Sequence, residues 1–517
     1  MLQTAAIFQN GMILQREKPL TVWGTAKPGE QVTVEIQGRS ADTAVDENGA
    51  WSVTLAPLSG SESETMTIDT AEESIRLEDV AVGEVWLAGG QSNMEFQMRY
   101  EKHKQEALEH CENPRIRFFD VPEVCYDGQL EEFDYSQMRT WRKATKADLD
   151  YFSAVGYYFQ RELECVLDVP VGIVGCNWGG TTASVWMNPQ TVERVGAPWM
   201  RLYEQKCAGR DMDAYWAEQH HNPMNNRGNL FDPFTEMVLP RTPSQEELMK
   251  MMSNLPENYE ELMAGMMQPQ SIPGCLYEHM LKTVAPYAIR GFLWYQGESD
   301  DDVPGMNVLY KDMLTGLIGD WRALWQENLP FLFVQLPGFE WWLWNNRKNE
   351  YPVIRECQQK VADTVEGAHL CSIADVGEEK DIHPKDKKTV GERLALLARH
   401  YVYGEDILCD APVAKEAVRD GKRITVTFVN AGKGLHIKGD SLSALKVLAQ
   451  DVKTAFDKSE EELAFTAETE GNHLVITLNE DTDKPVKVAF ARTSWYLVNL
   501  YNEADIPAIP FEFVVTV

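Results

Sequence analysis

Residues 83–96 read Gly83-Glu84-Val85-Trp86-Leu87-Ala88-Gly89-Gly90-Gln91-Ser92-Asn93-Met94-Glu95-Phe96. Val85, Trp86 and Leu87 form a short apolar run of the kind a buried strand needs. Gly89 and Gly90 permit a tight turn with unusual backbone angles. From Met94 to His110 neither Gly nor Pro interrupts a series of helix formers, so a helix is expected there. Ser92 is thus placed where a strand gives way to a helix. Its hydroxyl would stand at the sheet's carboxyl edge, beside free N–H groups that favour negative charge. A serine nucleophile and an oxyanion-binding amide are both wanted at such a point, although a serine that only caps a helix fits the same pattern.

Working outward, residues 79–404 alternate strands and helices. Val155, Tyr158, Phe159, Leu163 and Val166 fall at helical spacing before the strand-like Val171–Val174, and 331–334 form another apolar run. Such repeats predict an α/β fold, a mostly parallel sheet flanked by helices. The stretch 205–270, rich in Met, Asn and Glu, breaks the pattern and reads as a helical or irregular excursion forming a wall of the site. Residues 1–78 and 405–517 alternate with period two between turn signals and predict N-terminal and C-terminal β-sandwich-like modules.

Composition excludes several classes. The 517 residues carry a formal charge of −32, which argues against nucleic acid or an anionic membrane surface as partner. No apolar run reaches the ~20 residues of a membrane span. No basic n-region precedes an apolar stretch at the start, so a cytoplasmic protein is expected; a secreted form with its signal removed would look the same. Nine cysteines without CxxC spacing read as reduced thiols. There is no H-E-x-x-H, Walker A loop or strand-linked G-x-G-x-x-G, and His220-His221 are adjacent, so no metal and no cofactor is expected.

Three further motifs carry chemistry. Gly175-Cys176-Asn177-Trp178-Gly179-Gly180-Thr181 follows a strand, and its paired glycines let a backbone N–H approach a ligand. The run 291–295 ends in Gln296-Gly297-Glu298-Ser299, which puts polar side chains at the carboxyl end of a strand. Asp381-Ile382-His383-Pro384 precedes a helix expected over 390–401. A histidine so placed can reach a serine on the same sheet edge, and Asp381 can fix its tautomer. Trp341, Trp342 and Trp344 follow another strand and suit stacking on a sugar ring. Arg322 and Arg355 suit a substrate carboxylate or, equally, a structural ion pair.

The pentapeptide Gly90–Met94 lacks the second glycine of the G-x-S-x-G elbow. With the later motifs in the order Ser92, Gly179, Gln296, His383, the chain resembles the SGNH/GDSL hydrolases, and most closely the sialate O-acetylesterase family and its acetylxylan esterase relatives. The segments 9–15 and 22–24 and the region 498–510 resemble that family's two ends. The resemblance implies a serine carbohydrate O-acetylesterase without cofactor. Ser92, His383 and Asp381 would be catalytic. The oxyanion hole would comprise the N–H groups of Ser92 and Gly179, Gly180 being the alternative, with the amide of Gln296 in place of the usual Asn. Glu298, Asn177, Trp341 and Trp342 would face the substrate. Most SGNH enzymes place the acid three residues before the histidine; here that residue is Lys380, so Asp375, a backbone carbonyl or a Ser–His dyad stays open. The expected partner is a small acetylated saccharide, either a sialate or a xylo- or manno-oligosaccharide. A homo-oligomer through the terminal modules stays open, as do a non-catalytic carbohydrate-binding protein and a thioesterase or lipase.

Overall fold

The computed structural model describes residues 1–232, 235–236, 239–240, 244–252, 267–340, 349–452 and 458–516. It is a mixed α/β structure with several sheets. Contacts divide it into two compact units: Met1–Leu332 with Val365–Ala368 and Lys385–Ala395, and Phe333–Thr364 with His369–Pro384 and Leu396–Val517.

The first unit is built on the strand Ser74–Gly90, buried without a break from Val80. Its first half pairs antiparallel with Ser61–Asp69 and its middle runs parallel to Ile13–Gln15. Its second half lies parallel to Val171–Asn177 on one side and Gly291–Tyr295 on the other. Val171–Asn177 in turn runs parallel to Asn113–Asp120, against which Trp141–Ala144 is antiparallel. The expected boundary after residue 78 falls inside this one strand. Register aligns Gly90 with both Asn177 and Tyr295, so three of the four motifs end side by side on one edge.

The three central strands are buried from Val80 to Gly90, from Val171 to Asn177 and from Gly291 to Tyr295, and they are mostly apolar there, as a covered sheet requires. The helix Ala154–Leu167 buries Val155, Tyr158, Phe159 and Leu163 as their spacing predicts, while Val166, expected on the same face, is exposed near the helix end, and Ser153 caps it by accepting Gly156 N–H at 3.1 Å. Trp294 and Trp321 meet edge-on at 5.3 Å, and Phe292 meets Trp321 at the same distance. Such pairs add about 0.5–1.5 kcal/mol each beyond burial. In the N-terminal stretch, Leu20–Thr25 pairs with Gln3–Thr4 and Ala50–Leu55, and Gln31–Ile36 with Arg39–Ala44 and Ser61–Asp69. Between 205 and 270 the described residues include the helices Met212–Gln219 and Gln245–Met252 and no strand.

The helix expected from Met94 to His110 does not form as one piece. It is a single turn, Ser92–Glu95, then a 3-10 turn Met98–Tyr100 and a short helix Lys104–His110. Tertiary hydrogen bonds replace the helical ones: Met98 N–H goes to Phe152 O, Ala154 N–H comes to Phe96 O, and Gln97 bridges Ser153. Propensity alone is too weak to resist them.

In the second unit, Val413–Asp420, Arg423–Val429, His473–Leu478 and Phe465–Glu470 form one antiparallel sheet. Lys458–Glu462, Leu445–Val452, Val486–Phe490 and Phe511–Val515 form a second. Ile424, Val426, Leu474 and Ile476 from one sheet share a core with Val447, Val486, Val488 and Phe490 from the other. Among the described residues no helix is long and apolar enough to cross a membrane. All nine cysteines are free thiols.

Candidate active site

The strand does not turn at the glycine pair; it runs through Gly90, which lies at φ +139. A side chain there would place its Cβ 2.2 Å from Tyr295 O, so the neighbouring strand demands glycine. Gln91 is the N-cap and makes no side-chain cap bond, and Ser92 is the first helical residue. Ser92 is therefore not a cap, and it stays half-exposed at the strand edge. One helical turn carries little macrodipole, so the dipole expected from a long helix is absent here.

Gly179 lies against Ser92. A Cβ built on Gly179 would stand 3.3 Å from Ser92 Cβ and 3.2 Å from Glu95 Oε2. Its N–H already has an acceptor, donating to Glu95 Oε2 at 2.7 Å. Trp178 N–H, one residue earlier, donates to Gly90 O at 3.1 Å and fixes the loop on the strand that carries Ser92. Asn177 is buried and donates to Ala88 O at 3.5 Å. Burial pushes the Glu95 carboxyl up, against the pull of Arg227 and the Gly179 N–H. Burial likewise pushes Asp120 and Glu123 well above the usual carboxylate range, and the Glu95 charge adds to both. Arg227 Nε donates to Glu123 Oε2 at 3.2 Å, and its guanidinium sits 5.3 Å over the Trp178 ring. The 205–270 excursion thus reaches the Gly179 loop.

The loop after Tyr295 is clamped onto the serine turn. Gln91 N–H donates to Tyr295 O, and Ser299 N–H to Gln91 Oε1 at 3.2 Å. Asn93 Nδ2 donates to Glu298 Oε1 at 2.6 Å, while Lys387 Nζ donates to Asn93 Oδ1. Lys387 is fully buried, 4.7 Å over Phe96 and 5.3 Å over Tyr295. Burial pushes Glu298 up to about 7, against the Asn93 bond and the Lys387 charge. Glu298 therefore braces the residue beside Ser92.

Gln296 differs from the expectation of a third oxyanion donor. Its Nε2 hydrogens go to Thr181 O at 3.1 Å and Asp300 Oδ2 at 2.6 Å, and its Oε1 accepts from Tyr310 at 2.9 Å. Asp300, raised to about 7 by burial, also accepts Ala183 N–H. This polar group ties the 179–183 loop to the 296–300 loop because each buried amide must be satisfied.

In the second unit His383 and Asp381 are both buried. Asp381 Oδ1 accepts the backbone N–H of His383 at 2.8 Å and lies 3.8 Å from His383 Nδ1. That is ion-pair range and longer than a hydrogen bond. Arg355 does not await a carboxylate: it donates to the carbonyls of Tyr351, Thr493 and Ser494 and lies over Tyr496. Arg322 similarly holds Leu329 O and Glu366 O in the first unit. Trp341, Trp342 and Trp344 lie outside the described residues. Among the described residues, Glu101, His103 and Asp386 are near enough to share an ion, but Glu101 accepts from Tyr158 and Asp386 pairs with Lys102.

Sequence reading missed Glu95 and Lys387. Glu95 stood within the serine motif three residues past Ser92, where helical spacing puts it on the same face. Nothing in the sequence marked Lys387.

Residues 264–399 match the family described as a carbohydrate esterase, sialic acid-specific acetylesterase. Mouse (Mus musculus) sialate O-acetylesterase is 27% identical, the match covering 98% of this chain and 93% of that protein. The human enzyme of the same name is 25% identical over 78% of this chain and 71% of its own. The crystal structure of XAC1771, a carbohydrate acetylesterase from Xanthomonas citri, superposes with a TM-score of 0.74 at 26% identity, covering 99% of both chains. Over nearly its whole length the chain is thus similar to a sialate O-acetylesterase and to a carbohydrate acetylesterase structure, and residues 264–399 carry the match to the sialic acid-specific acetylesterase family.

Proposed function

We propose that this chain is a serine carbohydrate O-acetylesterase of SGNH type, acting through an acetyl-enzyme. The observation that carries the reading is the half-exposed Ser92 packed against Gly179 at one strand edge. Ser92 Oγ attacks the acetyl carbonyl, and His383 takes its proton and returns it to the departing sugar oxygen. The assignment of His383 and of Asp381 as its orienting acid rests on the sequence motif and on their proximity to each other. The N–H groups of Ser92 and Gly179 receive the oxyanion, each worth about 3 kcal/mol of transition-state stabilisation. Water then attacks the acetyl-enzyme by the same route and releases acetate.

The named relatives favour O-acetyl sialates, with acetylated xylo- or manno-oligosaccharides as the alternative. Nine free thiols favour a reducing compartment, hence the cytoplasm. The test is acetate release by wild type and Ser92→Ala from 4-nitrophenyl acetate, 9-O-acetyl sialic acid and acetylated xylo-oligosaccharides. Release should fall by several orders of magnitude in the variant. Near-normal turnover in Ser92→Ala sinks the mechanism, whereas no release by wild type with sugar binding intact favours a binding protein.

A further inference from the structure

A cavity of about 350 Å³ opens in the first unit between Cys125, Tyr126, Tyr203, Trp216, His220 and His279. That volume lies within the range of small-molecule sites, about 300–1,000 Å³. Its walls are aromatic: Tyr126 meets Trp216 at 5.8 Å, tilted, and His220 at 5.3 Å, edge-on. The rings are braced from behind. Tyr126 OH donates to Glu132 Oε2 at 3.0 Å, the same carboxylate pairs with His220, and Tyr215 OH anchors the helix Met212–Gln219 on Met267 O. The rim is polar, with Asp127 3.6 Å from His279 Nδ1 and Glu278 beside them.

Two stretches of chain link the cavity to the candidate site. The segment 121–128 leaves the strand Asn113–Asp120 at the edge that holds Gly90 and Asn177. Within it Glu123 binds Arg227, whose guanidinium covers Trp178, the neighbour of Gly179. Cys125, two residues on and so within about 7 Å along the chain, already lines the cavity. On the other side Pro189, downstream of the Gly179 loop, completes the wall.

We propose that this cavity is a subsite for a saccharide ring attached to the acetylated sugar, so that the substrate is an oligosaccharide or a glycoconjugate. The proposal rests on the esterase reading above for its placement beside the reacting ester. A pyranose offers an apolar face to aromatic rings and hydroxyls to carboxylate and imidazole. An acyl chain would leave the polar rim of Asp127, Glu278 and His279 without a partner from the ligand.

The experiment compares wild type, Trp216→Ala and Trp216→Phe on matched esters: 4-nitrophenyl acetate, acetylated xylose against acetylated xylohexaose, and 9-O-acetyl sialic acid against 9-O-acetylated 3′-sialyllactose. For whichever longer saccharide wild type prefers, the ratio of its kcat/KM to that for 4-nitrophenyl acetate should fall about tenfold in Trp216→Ala, through KM, with Trp216→Phe recovering part. Calorimetric titration of Ser92→Ala with the unacetylated longer saccharide should show the same loss when Trp216→Ala is added. An unchanged ratio, equal loss on all esters, or no preference for a longer saccharide overturns the subsite. Trp216-dependent sugar binding without acetate release overturns the esterase reading and leaves the subsite standing.

Discussion

The carboxylate of Glu95 accepts the N–H of Gly179 at 2.7 Å, one helical turn past Ser92. The single N–H that the proposed mechanism gives to the oxyanion is therefore already donating to a carboxylate, and it serves the oxyanion only by sharing or leaving that bond. The carbonyl of the same peptide, Trp178 O, accepts from Thr181 Oγ1 at 2.7 Å, so the peptide is tied at both its N–H and its C=O. Glu95→Ala is expected to lower kcat about tenfold or more, with a smaller change in KM. Glu95→Gln, whose side-chain oxygen still accepts the N–H, should retain most of it. The upper limit is the roughly 10²–10³-fold that one lost oxyanion donor costs. Steady-state kinetics on 4-nitrophenyl acetate decide it, and a fully active Glu95→Ala would leave Glu95 without this role.

Lys387, Asn93 and Glu298 form a buried chain behind Ser92. Removing one partner of a buried charged set leaves another uncompensated, at about 3–5 kcal/mol. Lys387→Met should destabilise the fold by that order in urea unfolding. Lys387→Met with Glu298→Gln should recover a good part, since the remaining groups are neutral. Additive losses would mean that the two residues do not share one network.

The contrast between what the sequence revealed and what it concealed has a physical basis. Apolar runs and helical spacing record burial, so the strand cores at 85–87, 171–174 and 291–295 and the helix around 155–163 were legible, whereas the strand's passage through Gly89 and Gly90, read as a turn, was not. The break after Glu95 was not, because it depends on Phe96, Gln97 and Met98 finding partners at 152–154, distant in sequence. The family resemblance paired Ser92 with Gly179 but could not show that Gln296 turns its amide toward Thr181 and Asp300. Arg322 and Arg355, read as suiting either a substrate carboxylate or a structural ion pair, bind carbonyls contributed by remote segments, which no local pattern encodes.

Gly90 should tolerate no side chain. At φ +139 an L-residue is strained, and its Cβ would overlap Tyr295 O. Strain and overpacking together put the cost of Gly90→Ala at about 3 kcal/mol or more. Thermal unfolding measures this, with Gly179→Ala for comparison. There the new Cβ would meet Glu95 Oε2 and Ser92 Cβ at 3.2 and 3.3 Å, a tighter fit than usual without backbone overlap. Gly179→Ala should unfold closer to wild type while losing activity, and the reverse order would contradict this account of the two glycines.

The buried carboxyls make stability depend on pH in a defined direction. Glu298 and Asp300 are each raised to about 7, chiefly by burial, from ordinary values near 4 when unfolded. Between those limits the folded state holds protons that the unfolded chain has released, so unfolding gains in favour as pH rises. Their stabilising contribution is complete below about pH 4 and is lost as pH passes through about 7. Glu298→Gln and Asp300→Asn keep an oxygen acceptor for Asn93 and for Ala183 N–H but cannot ionise. Relative to either variant, wild type should therefore lose stability between pH 5 and pH 8, and the double variant should show the flattest profile of the four. Chemical denaturation across that range gives the slopes directly. Parallel curves for wild type and variants would show that both carboxylates ionise in the folded protein as readily as in the unfolded chain.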